Sequence, residues 1–237
     1  MDLDRPPLAT YDDLARRIDH AILRPELTSE EVTRGCRLAR EYGVASVSVR
    51  PCDVELAVGL LDGAGVLVGS VAGFPHGSQT TPAKLYEARD LLRRGAREID
   101  MVLNIGKLRS REFHHLEAEL TQMAQTCHEA GAILKVIFEN AYLTEDLKVI
   151  ACKLCKRTGV DFAKTSTGFA ATGATLEDVR LMSQHCAPSV RVKAAGGIST
   201  LAGALGAFDA GCHRIGTSAT AAILDEWKQR IESAPRS

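Results

Sequence analysis

Residues 133–164 read ILKVIFENAYLTEDLKVIACKLCKRTGVDFAK. The β-branched run Ile133–Phe138 gives way to Thr144–Thr158, where apolar residues recur at helical spacing. Gly159 follows, and Val160–Lys164 is strand-like again. Strand, helix, strand is the crossover unit that joins two parallel strands. The unit recurs outward in both directions. Further strand signals lie at Ile18–Leu23, Val44–Val49, Val66–Val71, Glu98–Leu103, Val190–Ala194 and His213–Gly216, and helix signals at Ser29–Tyr42, Pro82–Arg94, Phe113–Ala130, Leu176–His185 and Leu201–Ala210. Thr28-Ser29 before Glu30 and Glu31, Thr144 before Glu145, and Thr175 before Glu177 have the form of helix starts. Gly43, Gly95, Gly131, Gly159 and Gly211 fall where helices should stop. Repeated alternation with a strand count near eight predicts an α/β fold, a TIM (β/α)8 barrel, with a short extra N-terminal helix over Thr10–Arg17. The first strand-to-helix turn has no GxGxxG, which counts against an open dinucleotide-binding sheet. No linker or low-complexity tract divides the chain, so residues 1–237 are expected to form a single TIM-barrel domain.

The composition, 45% hydrophobic and 25% charged, is that of a soluble globular protein. A net charge of -1 gives no basis for nucleic acid or an anionic membrane as partner. No apolar run reaches the length of a transmembrane helix, and Met1–Asp19 lacks the apolar core of a signal peptide. The seven cysteines are odd in number and scattered, which fits reduced thiols in the cytoplasm. Cys152 and Cys155 form a CxxC inside a helical stretch with no second Cys/His pair, so they are expected to be buried helix thiols.

In a barrel, function sits at the C-terminal ends of the strands. Asp100 opposes Ile99, Met101 and Leu103 in parity, and Lys193 opposes Val192 and Ala194, so both should point into the barrel. Lys164 closes its strand, although Phe162 shares its face. An internal ion pair would explain one such lysine. Two lysines facing one carboxylate fit that reading badly, because the excess cation is costly to bury. The same excess suits amine catalysis. At a pKa of about 10.4 only roughly one lysine in 2,500 is neutral at pH 7, and a second ammonium with partial desolvation raises that fraction. Asp100 could then shuttle protons. Lys135, inside the fifth strand, is expected to pair with a barrel carboxylate. His76 is read as a loop organiser, and His114 and His115 as solvated. Asp100, His76 and His20 make an unconvincing metal cluster beside two lysines, so neither a metal nor another cofactor is expected.

Glycines gather on the same rim. Gly168 closes the loop Thr165–Gly168, Gly196 and Gly197 follow the seventh strand, and Gly216-Thr217-Ser218 leads into the last helix. Bare N–H groups at such turns make an anion site, and barrels favour the loops after strands 7 and 8 for phosphate.

The segments IDH (18–20), EIDMVLNIG (98–106), DFAKTSTGF (161–169), VKAAGGI (192–198) and RIGTS (214–218) resemble, in order, those of the deoxyribose-phosphate aldolase family, over Ile18 to Leu224. The resemblance implies a metal-independent class I aldolase that cleaves 2-deoxyribose 5-phosphate, a small sugar phosphate, to acetaldehyde and glyceraldehyde 3-phosphate, reversibly. It serves deoxynucleoside breakdown, and a homodimer is the expected assembly. Carried over by position, Lys164 is the Schiff-base nucleophile, Lys193 depresses its pKa, and Asp100 with Lys193 relays protons. The phosphate rests on Gly168, Gly196, Gly197 and Ser218, and Asp19 matches an active-site position expected near the rim. Four positions depart from the family pattern: Ala21 stands for Thr, Ser48 for Cys, Asn140 for Thr and Ala219 for Ser. Ala219 keeps a backbone N–H for phosphate. The alternatives are an aldolase with a shifted sugar-phosphate preference and a catalytically silent phosphate-ligand binder. Intact Lys164, Lys193 and Asp100 speak against the second.

Overall fold

The computed structural model describes residues 7–233. Eight parallel strands close into a barrel in chain order: β1 (Ile18–Ile22), β2 (Ser46–Val49), β3 (Leu67–Ala72), β4 (Glu98–Val102), β5 (Ile133–Ile137), β6 (Phe162–Lys164), β7 (Arg191–Ala195) and β8 (Arg214–Thr217). β8 returns to β1 with Asp19 opposite Gly216, so no edge is left open. The eight expected strands are all present, shifted by a residue or two at their ends.

Helices α1 (Tyr11–Ala15), α2 (Ser29–Glu41), α3 (Val54–Leu61), α4 (Thr81–Arg93), α5 (Ile105–Arg109), α6 (Phe113–Glu129), α7 (Glu145–Thr158), α8 (Leu176–Cys186), α9 (Leu201–Asp209) and α10 (Thr220–Ser233) surround the barrel. The Thr28 side chain accepts from the Glu31 N–H while Glu31 bonds back to the Thr28 N–H, and Thr175 accepts from Asp178 N–H. Gly159 caps α7 at φ 74°, a left-handed conformation that costs glycine nothing. α1 is the extra N-terminal helix, and Trp227 of α10 donates to the Thr10 carbonyl at 3.0 Å, which fastens the two ends together. Periodicity gives no range for α3 or α5. The sequence of α3, VELAVGLL, is apolar almost all round, and α5 has only five residues.

Leu134, Val136, Val192, Ala194 and Ile215 face outward onto the helices and are fully buried. Each of the larger ones, the Val, Leu and Ile side chains, contributes roughly 1.5–3 kcal/mol. The inward face is polar above and aromatic below. Phe162 lies inside, with the Arg191 guanidinium 4.2 Å and the Arg214 guanidinium 5.6 Å from its ring centre. Its shared parity with Lys164 is therefore real, since both residues face inward and Phe162 forms the floor below the lysine.

Candidate active site

Lys164 ends β6 and Lys193 is its register partner in the middle of β7. Both amines donate to the same oxygen of Asp100 on β4: Lys164 Nζ at 2.8 Å and Lys193 Nζ at 2.9 Å from Oδ2. All three side chains are buried. Gly216 makes room for this, because a Cβ there would lie 3.1 Å from Cε of Lys193.

The trio is one end of a larger network. Lys193 is also 2.6 Å from Asp19, and Lys135 lies 3.1 Å from Asp19 and 3.0 Å from Asp100 Oδ1. Lys135 meets Glu98 as well, and Arg214 joins Asp19 at 2.9 Å to Glu98 at 2.7 Å. Three carboxylates thus face four cations, and one positive charge is in excess unless one amine is neutral. Burial lowers the Lys164 pKa to about 8; Lys193 and Lys135 push the same way, while Asp100 opposes them. At that value about one Lys164 in ten is neutral at pH 7. Asp100 stays well below the usual carboxylate range despite its burial, because Lys135, Lys164 and Lys193 surround it. Lys135 is held above its ordinary value against its burial by Asp100, Asp19 and Glu98. Its expected pairing with a barrel carboxylate is met three times over.

Above the trio opens a cavity of about 420 Å³ whose wall includes Lys164, Lys193, Gly168, Gly196, Gly197 and Ser218. Every residue expected on the phosphate rim lies on this wall. Gly168 and Gly197, at φ 86° and 80°, face open space. Gly196 answers to a different demand: a Cβ there would come within 2.9 Å of Gly173, whose neighbour Ala174 donates to the Gly196 carbonyl at 3.0 Å. One expectation is met and one needs correction. Asp19, though fully buried, lies on the same cavity wall as Ala21 and Leu23. The Ala219 N–H is taken by the Thr217 hydroxyl at 2.9 Å.

Ala21 and Ser48 line the cavity, whereas Asn140 turns away and donates to Met182 Sδ at 3.3 Å. His20 is buried against Thr220 at 2.8 Å and its pKa falls to about 4 through burial, so it is neutral. His76 is exposed beside a second depression lined by Pro75, Ile105, Arg109 and Tyr142. Cys152 and Cys155 are buried free thiols of α7. No three His, Cys, Asp or Glu side chains gather as a metal site among the described residues.

Sequence reasoning missed Glu139. This buried residue sits at φ 54°, and its carboxylate accepts from the Thr167 N–H at 3.2 Å and from the Thr167 hydroxyl. It clamps the loop that follows Lys164, while Thr165 Oγ1 ties the same loop to β7 by donating to the Ala195 carbonyl at 3.1 Å. A non-glycine left-handed residue has no sequence signature. The tight Glu139-to-Thr167 link across 28 positions has none either.

Comparison with known proteins follows the same lines. A model of the DeoC/LacD family aldolases matches residues 15–220. A deoxyribose-phosphate aldolase of Caldanaerobacter subterraneus subsp. tengcongensis is 44% identical over 219 residues, 92% of this chain and 95% of that protein. One from Thermococcus gammatolerans is 46% identical over 215 residues, 90% of this chain and 96% of that protein. Among solved structures, a tetrameric deoxyribose phosphate aldolase from Aeropyrum pernix superposes with a TM-score of 0.87 at 33% identity, covering 96% of this chain and 95% of its own. No helix among the described residues is long and apolar enough to cross a membrane.

Proposed function

The chain belongs to the DeoC/LacD aldolase family, and from that premise we propose that it cleaves 2-deoxy-D-ribose 5-phosphate through a Schiff base on Lys164. The observation that carries the reading is two amines on one Asp100 oxygen at the base of a glycine-walled cavity. A neutral Lys164 adds to the C1 aldehyde of the open-chain sugar, and loss of water leaves an iminium. The C3 hydroxyl then gives its proton to the Asp100–Lys193 pair, the C2–C3 bond breaks, and its electron pair moves into the enamine. Glyceraldehyde 3-phosphate is released. Protonation of the enamine at C2 and hydrolysis of the iminium free acetaldehyde and restore Lys164.

Lys193 and Asp100 are placed to move these protons. Asp100 is a weak base while three ammonium groups surround it. Once Lys164 is taken up in the iminium, Asp100 accepts the C3 proton and the hydrogen-bonded Lys193 returns one to C2. The backbone at Gly168, Gly196, Gly197 and Ser218 receives the phosphate at the mouth. Ala21 and Ser48, on the same wall, favour a second reading in which the same chemistry serves a shifted sugar-phosphate range. The substrate class, a place in deoxynucleoside breakdown, cytoplasmic location and a homodimeric assembly belong to this proposal. Light scattering checks the assembly.

Borohydride reduction with deoxyribose 5-phosphate, followed by mass mapping, tests the core of it. Inactivation with an adduct on Lys164 is expected, and turnover should be indifferent to chelators. An adduct on another lysine alone, or turnover without any adduct, overturns the assignment.

A further inference from the structure

The glycine wall supplies N–H donors but no charge, whereas a phosphate monoester brings close to two negative charges. Charge-assisted donors bind such a group far better than neutral ones. The interior amines are already committed, Lys164 to Asp100 and Lys193 to both Asp100 and Asp19. Among the side chains lining the cavity, the remaining cation is Arg24.

Arg24 sits in the loop just beyond β1, and its backbone is held firmly. Its carbonyl accepts from Arg50 Nη1 at 3.4 Å and from the Leu27 N–H at 3.3 Å; the next carbonyl, of Pro25, accepts from the same Arg50 nitrogen at 2.9 Å. Arg50 is itself fixed by Asp53 at 2.6 Å. The Arg24 side chain is held very differently. Its partner is Glu26, 3.2 Å away, with the two side chains 71% and 65% exposed. A pair that open to water is weak and easily exchanged.

We propose that Arg24 is a specificity-determining residue whose guanidinium leaves Glu26 and closes over the substrate phosphate, with Glu26 as the built-in competitor. The proposal rests on the sugar-phosphate reading of the cavity. A pinned backbone with a loosely held side chain lets the guanidinium swing from one carboxylate to the phosphate without moving the loop. Its planar fork can meet two phosphate oxygens at once, which an ammonium cannot.

The test uses Arg24→Gln, Arg24→Lys and Glu26→Gln in the full chain, read by steady-state kinetics and by calorimetry with inorganic phosphate. Arg24→Gln should raise KM for deoxyribose 5-phosphate at least about tenfold, with a smaller change in kcat, and weaken phosphate binding in parallel. Unphosphorylated 2-deoxyribose, which offers the guanidinium nothing to hold, should lose far less. Arg24→Lys should recover part of the loss. Glu26→Gln should act in the opposite sense, tightening phosphate about two- to threefold, an effect that fades with added salt. Arg24→Gln with unchanged phosphate affinity, equal losses for both sugars, or weaker phosphate binding in Glu26→Gln each overturns the proposal. Failure of the functional reading looks different: deoxyribose 5-phosphate leaves no adduct on Lys164 while phosphate affinity still follows Arg24 and Glu26.

Discussion

Two buried lysines of this protein invite comparison. Lys84 on α4 donates to Glu119 on α6 at 2.9 Å, and Lys164 donates to Asp100 at 2.8 Å. In each the pKa is lowered, burial is the chief cause, and the carboxylate partly offsets it. The surroundings differ. Lys84 also donates to the Val102 carbonyl at 2.9 Å, and Glu119 also accepts from Thr81 Oγ1 at 3.0 Å, so one cation and one anion are sealed together. Lys164 faces a cavity and shares its oxygen with a second ammonium. Burial beside a carboxylate depresses a lysine anywhere in a protein. Reactivity requires in addition an opening and a charge left over.

The sharpest break between the two is catalytic. Lys164→Met should cut deoxyribose 5-phosphate cleavage by more than about a thousandfold, as loss of a covalent nucleophile does. A variant that keeps a tenth of the activity would place the Schiff base elsewhere.

Stability should separate them next, with opposite signs. Lys84→Met strands the Glu119 carboxylate, a change that costs about 3–5 kcal/mol and some 10 °C in Tm. Pairing it with Glu119→Leu should return much of the loss, and a double variant no better than the single one would deny that the stranded charge is the cause. Lys164→Met should instead stabilise the fold at pH 7. With a folded pKa of about 8 against 10.5 unfolded, both states hold the proton at pH 7 and the fold bears the strain of the charge. Between those values only the unfolded chain holds it, so wild-type stability rises with pH across the window. The full difference is about 3 kcal/mol, and the advantage of Lys164→Met should shrink from pH 8 upward. Denaturation at several pH values measures it; an advantage that does not change with pH refutes the charge argument.

Smaller effects probe the neighbours. Lys193→Leu removes the second ammonium, so Schiff-base formation with acetaldehyde should slow at neutral pH and recover in part at alkaline pH. An unchanged pH profile of adduct formation would leave Lys193 only a proton-transfer role. Gly197→Asp sets a carboxylate into the open space of the wall. It should raise KM for deoxyribose 5-phosphate about tenfold, as an opposing charge does, with less effect on unphosphorylated deoxyribose. Equal losses would mean that phosphate sits elsewhere.

The same contrast explains what was legible in the sequence. Asp100 and Lys193 announce themselves because a strand alternates sides with a period of two, and a charge at an inward position stands out. Lys164 was less clear only because Phe162, two residues earlier, also faces inward. Lys84 carries no such mark. On an amphipathic helix a lysine reads as solvated, and Glu119, its partner, is 35 residues away on another helix. Asp19 was legible for the same reason as Asp100, and it lines the cavity while staying fully buried. Glu139 and Gly173 escaped as Lys84 did. Each meets a part of the chain remote in sequence, and nothing local records the meeting.

The aromatic floor at Phe162 has a kinetic consequence. The ring and two guanidinium groups fill the barrel below Lys164, and the proposed phosphate subsite, at Gly168, Gly196, Gly197 and Ser218, is on the wall of the cavity above it. On the proposed reading, the two-carbon fragment stays bonded at the closed end while the three-carbon phosphate lies between it and solvent. The order of events then follows from shape: glyceraldehyde 3-phosphate departs first in cleavage, and acetaldehyde must load first in synthesis. Product-inhibition patterns should show acetaldehyde competing with deoxyribose 5-phosphate for the unoccupied enzyme, and glyceraldehyde 3-phosphate inhibiting noncompetitively.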